Sequence, residues 1–190
     1  MKRFLYLLPL LIITACQNSK PTSHENTFWY DLPTENAQKT TYYFIRHAEK
    51  NRTNPDEKDP FLTEKGLKRA NHWAKYFEEK GIDQIFSSNY TRCIQTAIPS
   101  ASLNQLKIHD YDVKKDTLFT ANFWKKTYGK TNLVIGHSNT TPQFVNQILN
   151  TDKYEMLNDS VNYKLFKVEI NEDLKTKDTV IDVKLAFELN

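Results

Sequence analysis

The stretch TTYYFIRHAEK, residues 40–50, decides the fold. Thr40 to Arg46 is β-branched and aromatic and predicts a strand. A polar loop with Pro55 and Pro60 follows. Thr63 then caps a helix expected to run to Lys80, with Glu64 in its first turn. Leu67, Ala70, Ala74 and Phe77 share one face, and Gly81 stands at the C-cap. Ile82 to Ser87 predicts a second strand. A second helix opens at Asn89 or Thr91, with Pro99 expected to limit it. Leu106 to Tyr111 predicts a short strand. Asp116 to Tyr128 predicts a third helix, closed by Gly129. Thr131 to Gly136 (TNLVIG) is a strongly apolar strand. Thr140-Thr141-Pro142 starts a fourth helix with proline expected at its first position, and Val145, Ile148 and Leu149 turn inward. Tyr163 to Ile170 and Thr179 to Phe187 alternate around Asn171-Glu172-Asp173 and predict a hairpin.

Strands alternating with helices imply an α/β three-layer sandwich: a mostly parallel central sheet flanked by helices, with a C-terminal β-hairpin that makes the sheet mixed. No internal repeat is visible, which argues against a solenoid or propeller. Of 190 residues, 39% are hydrophobic and 13% aromatic, enough to build a core.

The first residues are different. Lys2 and Arg3 precede an apolar run from Phe4 to Ile13, and Thr14-Ala15-Cys16 follows. This is the grammar of a secretory signal, and the run is too short to span a bilayer as a mature helix. Ile13-Thr14-Ala15-Cys16 resembles the lipobox of bacterial lipoproteins. That resemblance implies a signal peptide over 1–15, lipidation of Cys16, a tether over 16–38 and a domain over 39–190 in the cell envelope, held to the membrane by the lipid. Within the tether, Phe28-Trp29-Tyr30 stands out as a docking element for the domain or for lipid headgroups. Removing residues 1–15 takes away Lys2, Arg3 and no acid, so the net charge falls from +3 to +1. Such a balance gives no electrostatic ground for a nucleic-acid partner. The other cysteine is Cys93, so a lipidated Cys16 leaves no intramolecular disulfide. No Cys/His cluster has zinc-site spacing.

In α/β sheets ligands sit beyond the carboxyl ends of the strands. The first strand ends in Arg46-His47. The second ends in Ser87-Ser88, with Arg92 in the next helical turn. The strand TNLVIG ends in His137. If the sheet is parallel there, two arginines and two histidines converge. Arginine forks bind phosphate oxygens bidentately. A neutral imidazole can attack phosphorus, and a protonated one can stabilise the charge that develops. Backbone N–H groups near Thr140 would add to such an anion site.

Arg46-His47-Ala48-Glu49 resembles the RHG motif of the histidine phosphatase superfamily, which includes cofactor-dependent phosphoglycerate mutase. The resemblance extends to Leu62-Thr63-Glu64-Lys65-Gly66, to Ser87-Ser88-Asn89-Tyr90-Thr91-Arg92 with Gln95-Thr96-Ala97, and to Gly136-His137-Ser138. It covers about residues 40–150. It implies a phosphorylated nucleophile at His47, a phosphoryl clamp of Arg46 and Arg92, a second pocket histidine at His137, and no metal or other cofactor. Ala48 departs from the family glycine. Asn51, Thr53 and Asn54 compete for a pocket asparagine role, with Asn51 first. The general acid is assigned to Asp116, ahead of Asp112 and Asp110, while Glu49 is read as orienting a loop. Lys50, Arg52 and Lys58 are read as solvated loop charges, and Cys93 as a buried packing residue. The chain lacks room for the segment that closes over the substrate of the mutases, so a phosphatase acting on a small phosphorylated substrate is expected. The alternatives are a mutase-like phosphotransferase, a phosphohistidine-protein phosphatase, and a non-catalytic phospholigand-binding lipoprotein.

Overall fold

The computed structural model describes residues 37–114 and 118–188. The expected signal sequence, Cys16, the Phe28-Trp29-Tyr30 element and Asp116 lie outside the described residues. The described elements run β1 (Thr40–Arg46), α1 (Glu64–Phe77), β2 (Gln84–Ser88), α2 (Thr91–Leu103), β3 (Ile108–Tyr111), α3 (Ala121–Thr127), β4 (Thr131–Gly136), α4 (Thr140–Leu149), β5 (Lys164–Ile170) and β6 (Thr176–Asp182). They build one six-stranded sheet of order β3-β2-β4-β1-β5-β6. β3, β2, β4 and β1 are parallel, and β5 and β6 add an antiparallel edge. This is the expected mixed α/β sheet, with the apolar TNLVIG strand near its centre.

Alternation along the strands feeds two cores. Tyr42, Phe44, Val134, Phe166 and Val168 pack on one face against Phe123 of α3 and Phe144, Val145 and Ile148 of α4. Tyr43, Ile45, Leu133, Ile135 and Leu165 pack on the other against Trp73 and Phe77 of α1 and Cys93, Ala97 and Ala101 of α2. Burial of β1 is complete on both sides, as a central strand covered by helices requires.

Several boundaries differ from expectation. α1 ends at Phe77 rather than Lys80, and Leu67 is exposed; the inner stripe is Gly66, Arg69, Ala70, Trp73, Ala74 and Phe77. Pro99 lies inside α2 instead of ending it. The packing of Cys93, Ala97 and Ala101 carries the helix past the missing N–H. β2 and β3 begin at Gln84 and Ile108, each two residues later than expected. α3 starts only at Ala121, because the Thr120 hydroxyl accepts from the Phe123 N–H, while the N–H groups of Leu118 and Phe119 donate to Gln147. Pro142 is the third residue of α4 rather than the first, and buried. β6 begins at Thr176 and ends at Asp182, and Ala186–Glu188 is a short 3₁₀ turn.

Candidate active site

The parallel strands deliver their last residues to one edge. Arg46 pairs with Gly136 across β1 and β4, and Ser87 with Ile135 across β2 and β4. One step further, the His47 N–H donates to the Gly136 carbonyl at 2.8 Å. This places the imidazoles of His47 and His137 with centroids 5.5 Å apart at 68°. A Cβ on Gly136 would lie 2.9 Å from both the Thr140 and Tyr111 hydroxyl oxygens, so glycine fits this crossing.

The motifs around these residues form a scaffold for the loop after His47. The Thr63 N–H and hydroxyl both donate to the Glu49 carbonyl. The buried Arg69 grips the Glu49 carboxylate with Nε and Nη2, and Nη2 also meets Glu188. Glu188 is held down at about 2; burial opposes that shift, and hydrogen bonds from Lys65, the Leu185 N–H and Arg69 overcome it. The Ala48 N–H donates to the Thr96 hydroxyl, and the Leu62 N–H to Gln95 Oε1. Ala48 is fully buried with Leu62 and Ala70, so its methyl is accommodated where the family glycine would leave space. The His47 carbonyl accepts from Asn162.

A cavity of about 420 Å³ opens at this edge, lined by Arg46, His47, Arg92 and His137 together with Lys50, Tyr90, Lys114, Asp159 and the start of α4. His47 Nδ1 lies 2.8 Å from the Ala48 carbonyl. A carbonyl only accepts, so Nδ1 carries the proton and Nε2 keeps its lone pair. Burial, assisted by Arg46, His137 and Arg92, lowers the His47 pKa to about 3. Burial, assisted by Arg92, Arg46 and Lys50, lowers His137 to about 4. His137 Nε2 meets Ser88 Oγ at 2.9 Å, while Arg92 Nη2 faces Nδ1 at 3.4 Å. Since arginine only donates, Nε2 of His137 is the protonated nitrogen, aimed at Ser88. Both rings are therefore neutral near pH 7.

Each arginine has a carboxylate companion that sequence reasoning missed. Asp59 accepts from the Thr91 N–H and hydroxyl at the start of α2 and meets Arg92 at 3.2 Å. It thus caps α2 from a distant loop, in place of Tyr90, whose side chain makes no cap bond. Arg92 also stacks over the Tyr90 ring at 4.4 Å. Arg46 donates through Nη1 to the carbonyls of Asn158, Asp159 and Val161, and through Nη2 to the Asp159 carboxylate. Nε of Arg46 and Nε of Arg92 are buried with no hydrogen-bond acceptor among the described residues.

Other candidates fall elsewhere. Asn51 accepts from the N–H and hydroxyl of Thr53 in an exposed turn and does not line the cavity. Asp110 and Asp112 are exposed at the end of β3 and do not line it either. Glu49 is committed to Arg69. Lys50, read as a solvated charge, is a lining residue, and Arg52 pairs with Asp159. Cys93 is buried, with burial pushing its thiol up to about 12. No group of three or more His, Cys, Asp or Glu among the described residues has a metal-holding arrangement.

The sequence model of the family described as histidine phosphatase superfamily (branch 1) matches residues 42–113. No curated protein sequence matches the chain. Among solved structures, the protein histidine phosphatase SixA complexed with tungstate superposes with a TM-score of 0.60 at 12% identity, covering 79% of this chain and 99% of that one. Phosphoserine phosphatase from Entamoeba histolytica, in complex with 3-phosphoglyceric acid, gives 0.56 at 16%, covering 77% and 98%. Phosphoglycerate mutase from Bacillus anthracis str. Sterne gives the same score and identity, covering 77% and 93%. Residues 42–113 therefore carry the sequence pattern of the histidine phosphatase superfamily, and the described domain has the fold these phosphatases and the mutase share.

Proposed function

We propose that this protein is a phosphatase that hydrolyses small phosphorylated substrates through a phosphohistidine on His47. The observation that carries the reading is a neutral His47, its proton fixed on Nδ1 by the Ala48 carbonyl, in a cavity that it lines together with Arg46, Arg92 and His137. Arg46 and Arg92 hold the phosphoryl group. His47 Nε2 attacks phosphorus, the bond to the leaving oxygen breaks, and that oxygen departs with the bonding pair and takes a proton. Water then attacks the phosphohistidine, the N–P bond breaks, and inorganic phosphate and neutral His47 return. His137, neutral in the free site, donates through Nε2 to an equatorial oxygen once its ring turns away from Ser88.

Asp116 remains our assignment for the acid that protonates the leaving group, supported by its place after Arg92 in the sequence. Asp159, the carboxylate among the described lining residues, is held ionised by its hydrogen bond to Arg46 and by Arg52. Hydrolysis of a phosphohistidine protein is the second reading: it is favoured by the likeness to SixA and by this lack of a protonated acid in the described lining. We further propose that Cys16 is lipidated and anchors the domain in a bacterial envelope.

The test is turnover of a panel of phosphomonoesters and of a phosphohistidine peptide by the full chain. A phosphatase releases phosphate from at least one of them and loses that activity in His47→Ala. Binding of phosphate with no turnover of any would leave a phospholigand-binding protein instead.

A further inference from the structure

We propose that Asp159 is a built-in competitor for the phosphoryl group on Arg46, and so sets how tightly the pocket holds phosphate. The inference deepens the reading of the pocket as a phosphoryl site. Asp59 and Asp159 both sit on a pocket arginine, yet they are anchored differently. Asp59 is fixed by three hydrogen bonds from Thr91 as well as by Arg92, and does not line the cavity. Asp159 lines the cavity and is 63% exposed, and among the described residues its carboxylate is held by arginines alone: Oδ1 on Nη2 of Arg46 and Oδ2 on Nη2 of Arg52.

The orientation of Arg46 does not depend on that carboxylate. Nη1 is already engaged by the backbone carbonyls of Asn158, Asp159 and Val161. These carbonyls come from the loop that precedes β5, which is tied to the start of α4 by the Leu157 N–H on the Ser138 carbonyl. The guanidinium is thus aimed by neutral oxygens. The negative charge on its other nitrogen instead opposes an incoming anion. A phosphoryl group that reaches Arg46 must share Nη2 or displace Oδ1. Arg52, itself half exposed, gives the carboxylate a second cation to stay on when Oδ1 leaves. The expected consequence is a pocket that holds product phosphate weakly and releases it, at some expense of affinity for the substrate.

A positioning role for Asp159 predicts the reverse, so the sign of one measurement separates the two. Tungstate and inorganic phosphate are titrated into the full chain by calorimetry, in wild type, Asp159→Asn and Asp159→Ala. Asparagine keeps an oxygen that can accept from Arg46 while removing the charge. For a partly exposed ion pair the expected gain is about three- to tenfold in affinity for both anions, with tighter inhibition by phosphate wherever turnover is measurable. Asp59→Asn, which loosens the cap of α2, is expected to weaken tungstate binding, so loop charge in general is not the cause. Unchanged or weaker tungstate binding in both Asp159 variants would overturn the proposal, as would absence of binding in all forms. Because the readout is binding, tighter tungstate in a protein that turns over neither a phosphomonoester nor a phosphohistidine peptide would sustain the role of Asp159 while removing the phosphatase reading.

Discussion

Gly66→Ala sets a local preference against a tertiary contact. Gly66 is the third residue of α1, where alanine favours the helix by about 1 kcal/mol. A Cβ at this position would stand 2.2 Å from the Glu49 carbonyl oxygen and 3.1 Å from the Glu49 nitrogen and carbonyl carbon. Carbon and oxygen do not approach closer than about 3.3 Å at little cost, so helix and loop must part by about 1 Å. The receiving group is backbone and cannot rotate away. It also accepts both hydrogen bonds from Thr63. Overpacking of this kind costs about 1–3 kcal/mol, at the upper end where nothing yields. The net expectation is a loss of about 1–2 kcal/mol, a fall in Tm of about 3–8 °C for a domain of this size. Glu49 lies two residues beyond His47, so the same shift reaches the proposed nucleophile. A 1 Å misplacement can cost about 100-fold in rate, and damping over two residues leaves an expected fall of about tenfold in kcat. Urea unfolding and turnover of p-nitrophenyl phosphate measure the two effects. A Gly66→Ala protein at least as stable as wild type, with unchanged kcat, would refute the account of the loop scaffold.

Arg69→Met removes the fully buried cation between Glu49 and Glu188 and should cost about 2–4 kcal/mol, below the value for a wholly buried pair because both carboxylates keep some contact with water; a loss under about 1 kcal/mol by urea unfolding would contradict it. Burial holds His47 at about 3 and His137 at about 4, against 6.5 in the unfolded chain. Between these values the unfolded chain binds more protons. Stability should therefore fall as pH drops from about 6.5 toward 4, by at most about 1.4 kcal/mol per pH unit per histidine. Replacing both histidines with asparagine should flatten that limb, and an unchanged slope would assign it to other groups. Arg46→Lys and Arg92→Lys keep charge but lose the fork, so each should lower kcat and tungstate affinity together; wild-type values in both would remove the clamp. Cys16→Ser should leave the membrane fraction or remain unprocessed, and unchanged fractionation and size would rule out lipidation.

The parts of the fold legible in the sequence are those fixed by local chemistry. β1 and β4 occupy the residues that their β-branched and apolar runs predict, and Thr63 caps α1 through its own hydroxyl. The strand ends followed, because parallel pairing brings Arg46-His47 beside Gly136-His137. What could not be read depends on contacts distant in sequence. Leu67 has the right spacing for the inner face, yet Arg69 takes that side because Glu49 and Glu188, 20 and 119 residues away, neutralise it. Pro99 signals a helix end, and packing on the sheet overrides it. Asp59 and Asp159 reach Arg92 and Arg46 across 33 and 113 residues from loops with no periodicity. No spacing rule links such positions. A charge count around the site could have noted that two arginines and two lysines in one cavity call for acidic partners, without naming which.

The covalent step on His47 is tested most directly by trapping it. The full chain is mixed rapidly with phosphoryl-labelled substrate, quenched in base and digested, and the labelled peptide is mapped. The account predicts label on His47, stable in base, released by acid, formed and discharged at rates compatible with turnover, and absent from His47→Ala. Turnover without labelled His47, or an undiminished rate in His47→Ala, would contradict it.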